Sequence, residues 1–376
     1  MGTWRDLKPG TRVVVAMSGG VDSSVATSML VDRGLDVVGV TMKNFCYSEV
    51  PEEYADAACC SLSAIEDARS VARTLKIGHH VLDFEGPFRQ AVMDPFVAEY
   101  ASGRTPNPCV RCNRLVRFPG LWRKARQLRA VGVATGHYAH AIRPEDGGPV
   151  ELRRPTDRSK DQTFYLWGLS SQLLERAFFP LGQLTKTEVR ARAEELGFTT
   201  ADKPESQDIC FIPDGDLRGF LARYQETHPE VAAGDRFTPG TIRMASGEQV
   251  GTHAGSGFYT VGQRRGLGVT AQEPLYVTAI EGSNTLIVGA EEELYQRGLE
   301  TEETNWLSEP ATEPFRARVQ IRYRSEPAPA EIIPLPGRRA EVRFVHPQRA
   351  VAPGQSAAFY AGERLLGGAT IARALA

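Results

Sequence analysis

Two sets of residues in this chain have the types and spacing to do chemistry. The first is Ala16-Met17-Ser18-Gly19-Gly20-Val21-Asp22-Ser23-Ser24. Paired glycines let backbone turn tightly and come close to a ligand, and Ser18, Ser23 and Ser24 add hydroxyl donors. At a helix start, where N–H groups lack partners and the dipole is positive, such a loop suits a phosphate. It has no Gly-Lys-Ser/Thr at Walker A spacing. The second set is sulfur: Cys109 and Cys112 in Thr105-Pro106-Asn107-Pro108-Cys109-Val110-Arg111-Cys112-Asn113, and Cys210 in Ile209-Cys210-Phe211-Ile212-Pro213. Pro106 and Pro108 are expected to hold the backbone extended and stiff. Nearby arginine and a helix starting near Asn113 would favour thiolate at Cys112, the nucleophilic form. A structural zinc site would need a second cysteine pair at similar spacing; Cys59-Cys60 are adjacent and do not supply it.

These residues need a scaffold, and the flanking sequence predicts one. Arg12-Val13-Val14-Val15-Ala16 reads as a buried strand, and Val25 to Leu30 as a helix closed by Gly34. The loop therefore joins a strand's carboxyl end to a helix's amino end. It resembles the pyrophosphatase loop, S-G-G-x-D-S-S, of enzymes that split ATP between its α- and β-phosphates. In that class the position of Asp22 is associated with the metal–pyrophosphate end of ATP. Further strands are predicted at 36–42, 80–84 and 131–135. They alternate with helices, one carrying Leu62, Ile65, Arg69, Ala72 and Leu75 on one face, another around 88–100. Alternation of this kind implies a parallel sheet with helices on both faces, whose ligands bind at the strands' carboxyl ends. Met42 and Gly136 fall there. Met42 can pack against adenine or simply into the core, and Gly136 lets backbone approach.

The chain has 376 residues, 41% hydrophobic and 24% charged, which suits a soluble protein of two or three domains. No apolar run reaches the ~18 residues of a membrane span, and the amino terminus lacks a signal-peptide core. Six cysteines, with no export signal, point to reduced, reactive or ligating thiols in a cytoplasmic protein rather than a disulfide framework. A net charge of −2 leaves any affinity for nucleic acid to local patches. Residues 100–144 supply one: nine basic residues (Arg104, Arg111, Arg114, Arg117, Arg123, Lys124, Arg126, Arg129, Arg143) and no Asp or Glu. They suggest a polyanion surface, or a basic face paired with acids elsewhere. After about residue 213 the pattern shifts to glycine-rich chain, then a hairpin at 276–280 and 285–288. From about 298, short strands and Pro/Gly turns suggest a small barrel. Residues 315–349 carry eight Arg against three Glu, including Arg322-Tyr323-Arg324. Such residues can form an RNA-facing surface or a solubilising one.

Taken together, the loop, Met42-Lys43-Asn44, Gly103-Arg104-Thr105-Pro106-Asn107-Pro108, Cys112-Asn113, Ala134-Thr135-Gly136-His137-Tyr138, Lys160-Asp161-Gln162, Ile209-Cys210-Phe211-Ile212, Gly262-Gln263-Arg264-Arg265-Gly266-Leu267-Gly268 and Pro353-Gly354-Gln355-Ser356 resemble the bacterial tRNA-specific 2-thiouridylase family over nearly the whole chain. The resemblance implies an α/β PP-loop domain over 1–212, a small mixed central domain over 213–297 and a C-terminal β-barrel over 298–376. It implies ATP and Mg²⁺, with ATP at Ala16, Met17, Ser18, Gly19, Gly20, Val21, Asp22, Ser23, Met42 and Gly136. The activity implied is ATP-dependent replacement of the wobble uridine's 2-oxygen by sulfur, releasing AMP and pyrophosphate. Cys210 would carry a persulfide loaded by a cysteine desulfurase or sulfur-relay protein. Cys112 would be the nucleophile, the pair passing through a Cys112–Cys210 disulfide. The tRNA anticodon loop would meet Asn107, Pro108, Cys109, His137, Lys160, Asp161 and Gln162, with Arg322, Tyr323 and Gln355 acting from the barrel. Many relatives have Asp where this chain has Cys109. No acid/base role is therefore carried over to it, and Cys109, Cys112 and Cys210 could instead hold an iron–sulfur cluster. Two other readings stay open: a PP-loop ligase using nitrogen, which leaves both thiols without a task, and a non-catalytic tRNA binder that senses ATP.

Overall fold

The computed structural model describes residues 3–45, 61–144, 147–204, 209–231 and 234–376. Cys46, Cys59 and Cys60 lie outside them. The chain forms two compact units, one of residues 1–91, 109–215 and 363–366, the other of 92–108, 216–362 and 367–376.

The first unit is built on β1 (Arg12–Ala16), α1 (Val21–Asp32), β2 (Asp36–Lys43), α2 (Leu62–Thr74), β3 (Gly78–Asp83) and α3 (Glu85–Phe88). A π segment, Arg89–Met93, carries α3 into α4 (Asp94–Ala101). Then follow α5 (Pro108–Arg111), a second π segment (Cys112–Arg117), α6 (Phe118–Gln127), β4 (Val133–Ala134), a hairpin of β5 (His140–Ile142) and β6 (Glu151–Arg153), α7 (Ser171–Leu174), β7 (Ala177–Phe178) and α8 (Lys186–Glu195). Five strands form one sheet in the order β3-β2-β1-β4-β7, each neighbouring pair parallel. Val13, Val14 and Val15 are wholly buried because both faces are covered. Successive side chains point to opposite faces, so Val13 and Val15 pack with Val25, Leu30, Val189 and Ala193, and Val14 packs with Val40, Leu121 and Ala125 of the other layer. The order reverses between β1 and β4, which makes the ends of these two strands the switch point where such sheets bind ligands.

Three local expectations need correction. Leu62 is 70% exposed while Ile65 and Ala72 are buried, because it is the first residue of α2 and projects beyond the packed face. The predicted strand at 131–135 is paired only over Val133–Ala134. The stretch after Pro106 is not extended through to Asn113: Pro108 opens α5, and Cys109 and Cys112 both lie in helical backbone. Proline suits a helix's first position, where its missing N–H would have had no partner anyway.

In the second unit, α4 packs Phe96 against Phe220 of α9 (Leu217–Thr227). A four-stranded sheet, β8 (Gly240–Met244), β9 (Gln249–His253), β10 (Tyr276–Glu281) and β11 (Thr285–Gly289), runs in the order β10-β11-β8-β9 around Ile242, Val277, Leu286 and Val288. The barrel consists of β12 (Tyr295–Trp306), β13 (Phe315–Gln320), β14 (Ala328–Leu335), β15 (Arg339–Arg349), β16 (Ser356–Ala361) and β17 (Arg364–Leu375). Its order is β12-β15-β14-β13-β16-β17, and β12 pairs back onto β17, Leu299 opposite Ala374, so the six strands close; the start of β17 also pairs with β6, Leu365 opposite Leu152, which extends the same sheet into β6 and β5.

Candidate active site

The loop after β1 occupies the switch point as the sequence predicts. Gly20 is the residue before α1, so the N–H groups of Val21, Asp22 and Ser23 sit at the helix's positive end. Ser23 Oγ accepts from Ser18 N at 3.2 Å and donates to the Gly20 carbonyl at 3.0 Å, and Ser24 Oγ donates to the same carbonyl. These hydroxyls tie the loop to itself and leave Ser18 as its exposed member. Gly19 has φ +71°, and a Cβ there would lie 2.1 Å from the Ala64 carbonyl oxygen in the first turn of α2. That start is fixed by Ser61, whose hydroxyl accepts from Ala64 N. Gly136, just past β4, fits as tightly: its Cβ would stand 2.8 Å from Ser23 N. Only backbone without side chains lets these elements close around the cradle. Met17 is buried, and Met42 is partly buried against the Leu121–Ala125 layer, so packing holds much of its side chain.

Asp22 is more firmly held than the sequence indicates. Its Oδ1 accepts from Tyr138 Oη at 2.8 Å and from Lys186 Nζ at 2.7 Å. The Lys186 ammonium also lies 5.8 Å from the centre of the Tyr138 ring, within cation–π range. Lys186 opens α8 behind a complete capping box of Thr185 and Glu188, and its N–H donates to Asp157 Oδ2. The box is local, Thr185 to Glu188, whereas the lysine's target lies 164 positions away.

The thiols are placed through their neighbours. Cys112 is buried and Cys109 and Cys210 are half-buried, and no disulfide joins them. Arg111 Nε donates to the Ala91 carbonyl, and Phe211, next to Cys210, meets Phe88 edge-on at 5.8 Å. Phe88 and Ala91 are three residues apart on one helical run, so the segments bearing Cys112 and Cys210 are both seated on it. Among the described residues no three His, Cys, Asp or Glu side chains converge as a metal would require, the three cysteines included.

His137 lies against Phe118 and Phe179. Burial first, then the positive charge of Arg117, draws its pKa down to about 3, so the ring is neutral near pH 7. Arg117 Nη1 approaches His137 Nε2 at 3.5 Å and donates to Asn113 Oδ1 at 3.1 Å. Asp161 is buried, with Arg154 on one oxygen and the Thr163 N–H and hydroxyl on the other. Gln162 Oε1 accepts from Tyr138 N. Lys160 is half-buried. The basic stretch is therefore only partly a free surface: Arg104 pairs with Glu99 and Glu302, Arg111 bonds the Ala91 carbonyl, Arg117 bonds the buried Asn113, and Arg143 bonds the Gly148 carbonyl five residues on.

In the second unit the structure turns two expected RNA-facing residues toward the fold. Arg322 donates to the Arg349 carbonyl, and its guanidinium pKa is lowered by burial and then by Arg349. Tyr323 is half-buried beside it. Gln355 Nε2 donates to the carbonyls of Thr105 (3.0 Å) and Pro106 (3.4 Å), while Thr105 N donates to Pro353 O. That grip holds the chain leading into Asn107 and Pro108, which are half-buried and buried.

A parallel sheet with a glycine–serine cradle at its switch point, backed by a carboxylate and a buried lysine, defines a phosphate-binding α/β protein of the PP-loop class. Family profiles described as the tRNA methyl transferase HUP domain, the tRNA methyl transferase PRC-barrel domain and the aminomethyltransferase beta-barrel domain match residues 11–214, 233–290 and 296–371. The tRNA-specific 2-thiouridylase MnmA of Pelotomaculum thermopropionicum is 47% identical over 363 residues, 96% of this chain and 97% of its own. That of Symbiobacterium thermophilum is 46% identical over 371 residues, 97% and 93% of the two chains. The chain belongs to the tRNA-specific 2-thiouridylase family. A solved 4-thiouridine synthetase–RNA complex with bound ATP overlaps 59% of this chain and 52% of its own at 19% identity, with a TM-score of 0.37. Among the described residues no helix is long and apolar enough to cross a membrane.

Proposed function

We propose that this protein replaces the 2-oxygen of a tRNA wobble uridine by sulfur at the expense of ATP. The observation that supports this reading most is the Ser18–Ser24 cradle at the switch point, in a chain whose Cys112 and Cys210 segments rest on one helical run. Uracil C2 is a poor electrophile and its oxygen a poor leaving group. The 2-oxygen attacks the α-phosphorus of ATP, pyrophosphate leaves, and AMP becomes the leaving group on C2. The α1 amino terminus and the Ser18 hydroxyl receive phosphate oxygens. The residues also fit Mg²⁺, which takes one or two carboxylates plus phosphate oxygens. Asp22 would hold it, and the ion would supply charge neutralisation on the phosphates. Lys186 adds a fixed positive charge at the same end.

Sulfur arrives as a persulfide on Cys210, delivered by a cysteine desulfurase or relay protein. The Cys112 thiolate attacks the inner sulfur of Cys210–S–SH, the S–S bond breaks, and HS⁻ leaves with its electron pair. Hydrosulfide then adds at C2, AMP departs and the sulfur's proton goes to solvent. The Cys112–Cys210 disulfide left behind is reduced by an external thiol before the next cycle. The pyrimidine must leave the anticodon stack to reach this site, with Asn107, Pro108, Cys109, Lys160 and Tyr323 as RNA contacts. His137, Asp161, Gln162, Arg322 and Gln355 serve the RNA mainly by holding those segments. Cytoplasmic residence and domains of 1–212, 213–297 and 298–376 belong to the same reading.

Mass spectrometry of tRNA nucleosides after incubation with ATP, Mg²⁺, a cysteine desulfurase and cysteine tests it. Wild type makes 2-thiouridine; Cys112→Ser and Cys210→Ser make none yet release pyrophosphate when tRNA is added. Thiolation surviving both substitutions would refute the thiol chemistry.

A further inference from the structure

Arg117 sits in the wide π turn that also carries Cys112 and Asn113. π turns inside helices frequently mark functional positions. Positions 113 and 117 are four apart within it, and Arg117 Nη1 donates to Asn113 Oδ1 at 3.1 Å. Asn113 is 2% exposed, and its Nδ2 donates to the Tyr165 carbonyl at 3.0 Å. Both ends of this buried amide are thus engaged, which orients the residue beside Cys112. The other branch runs to the sheet. Arginine can only donate, so His137 Nε2, at 3.5 Å, is the acceptor and Nδ1 bears the ring proton. That proton is directed at Thr135 Oγ1, 2.7 Å away at the carboxyl end of β4. Gly136, between Thr135 and His137, is the residue packed against Ser23 of the phosphate loop.

We infer that Arg117 is a positioning residue: its guanidinium joins the turn bearing Cys112 to the end of β4 that abuts the phosphate loop, through Asn113 on one side and His137 on the other. The thiol is thereby held in register with the nucleotide end of the sheet. This rests on the assignment of Cys112 as the sulfur-transfer nucleophile, and it gives one of the basic residues of 100–144 an internal task in place of an RNA contact. Neutral His137 is a condition of the arrangement, since an imidazolium would offer Arg117 no lone pair.

The test uses the full-length protein and reads each cysteine separately. Iodoacetamide labelling, followed by peptide mass spectrometry, measures the alkylation rate of Cys112 and Cys210 in wild type, Arg117→Met, Arg117→Lys and Asn113→Ala. It needs neither ATP nor tRNA, so it stands apart from the proposed activity. In Arg117→Met and Asn113→Ala, Cys112 labelling accelerates about tenfold, the equivalent of one lost buried hydrogen bond, while Cys210 stays near the wild-type rate. Arg117→Lys keeps the charge without the planar guanidinium that sets Nη1 between Asn113 and His137, and falls between. In the coupled assay, 2-thiouridine formed per pyrophosphate released drops, by as much as about a hundredfold if the thiol moves by an ångström. Wild-type Cys112 labelling in both Arg117→Met and Asn113→Ala would overturn the inference, as would equal acceleration at Cys210, which marks general loosening. A wild type that releases no pyrophosphate with tRNA would overturn the proposed function and leave the labelling result to judge Arg117 alone. If Arg117→Met does not fold, Arg117→Lys and Asn113→Ala carry the same decision.

Discussion

Exchanging Lys186 for methionine probes the charge arrangement around the phosphate loop most directly. The Lys186 side chain is 11% exposed and that of Asp22 33% exposed, so the partners differ in access to water. Deleting the lysine leaves a carboxylate that keeps Tyr138 Oη at 2.8 Å and can draw on solvent. The loss is one charge-assisted hydrogen bond with partial rehydration, about 1–2 kcal/mol. Asp22→Asn does the opposite, replacing the carboxylate that faces a nearly buried ammonium by a neutral amide, with the Tyr138 ring still beside it. That costs about 3 kcal/mol. The double variant should fall short of the sum by about 1–2 kcal/mol, since the second change removes a group that had already lost its ion-pair partner. In melting temperature each kcal/mol is about 2–4 °C for a unit of this size. The assays are urea unfolding followed by circular dichroism, and equilibrium titration with ATP and Mg²⁺. Lys186→Met should also bind ATP about tenfold more weakly, having lost a charged donor at the phosphate end. Wild-type melting and ATP affinity in Lys186→Met would refute the reasoning. So would an Asp22→Asn protein more stable than Lys186→Met, because loss of the carboxylate beside the nearly buried cation sets the predicted order.

Gly19→Ala should abolish ATP binding measured by the same titration: a Cβ 2.1 Å from the Ala64 carbonyl, at φ +71°, must push α2 away from the loop. An alanine variant with unchanged affinity would show that the cradle is not where the phosphates sit. The pH dependence of stability should carry the signature of His137, whose folded pKa of about 3 lies below its ordinary 6.5. Above pH 6.5 neither folded nor unfolded state binds this proton and the contribution is complete. Between 6.5 and 3 the unfolded state binds it first, so stability falls with pH, by about 1.4 kcal/mol per unit from this group. Denaturant titrations from pH 7.5 to 5 should show that slope flattened in His137→Gln; an equal slope in both proteins would rule out a buried neutral imidazole.

Local features of this protein were legible in its order of residues. A valine run, two glycines and a short apolar helix dictate strand, loop and helix through steric preference and periodicity alone, and that is the Ser18–Ser24 cradle. The same holds for the hairpin at 276–289 and the strand-and-turn rhythm that becomes the barrel. Tertiary structure decided the partners. Lys186 meets Asp22 across 164 positions and Gln355 grips Thr105 across 250, and no pattern within a window of sequence encodes either meeting. It also decided between conformations that one residue permits equally: Pro108 suits an extended loop and a helix's first turn, and packing selected the helix, setting Cys109 and Cys112 one turn apart. Charge was the least legible property. A run of arginines looks like a surface because sequence counts charges without directions. In the fold, Arg104 closes ion pairs with Glu99 and Glu302, Arg111 and Arg143 meet backbone carbonyls, and Arg117 meets the buried Asn113, where an acceptor left without a donor is costlier than a guanidinium drawn from solvent to meet it.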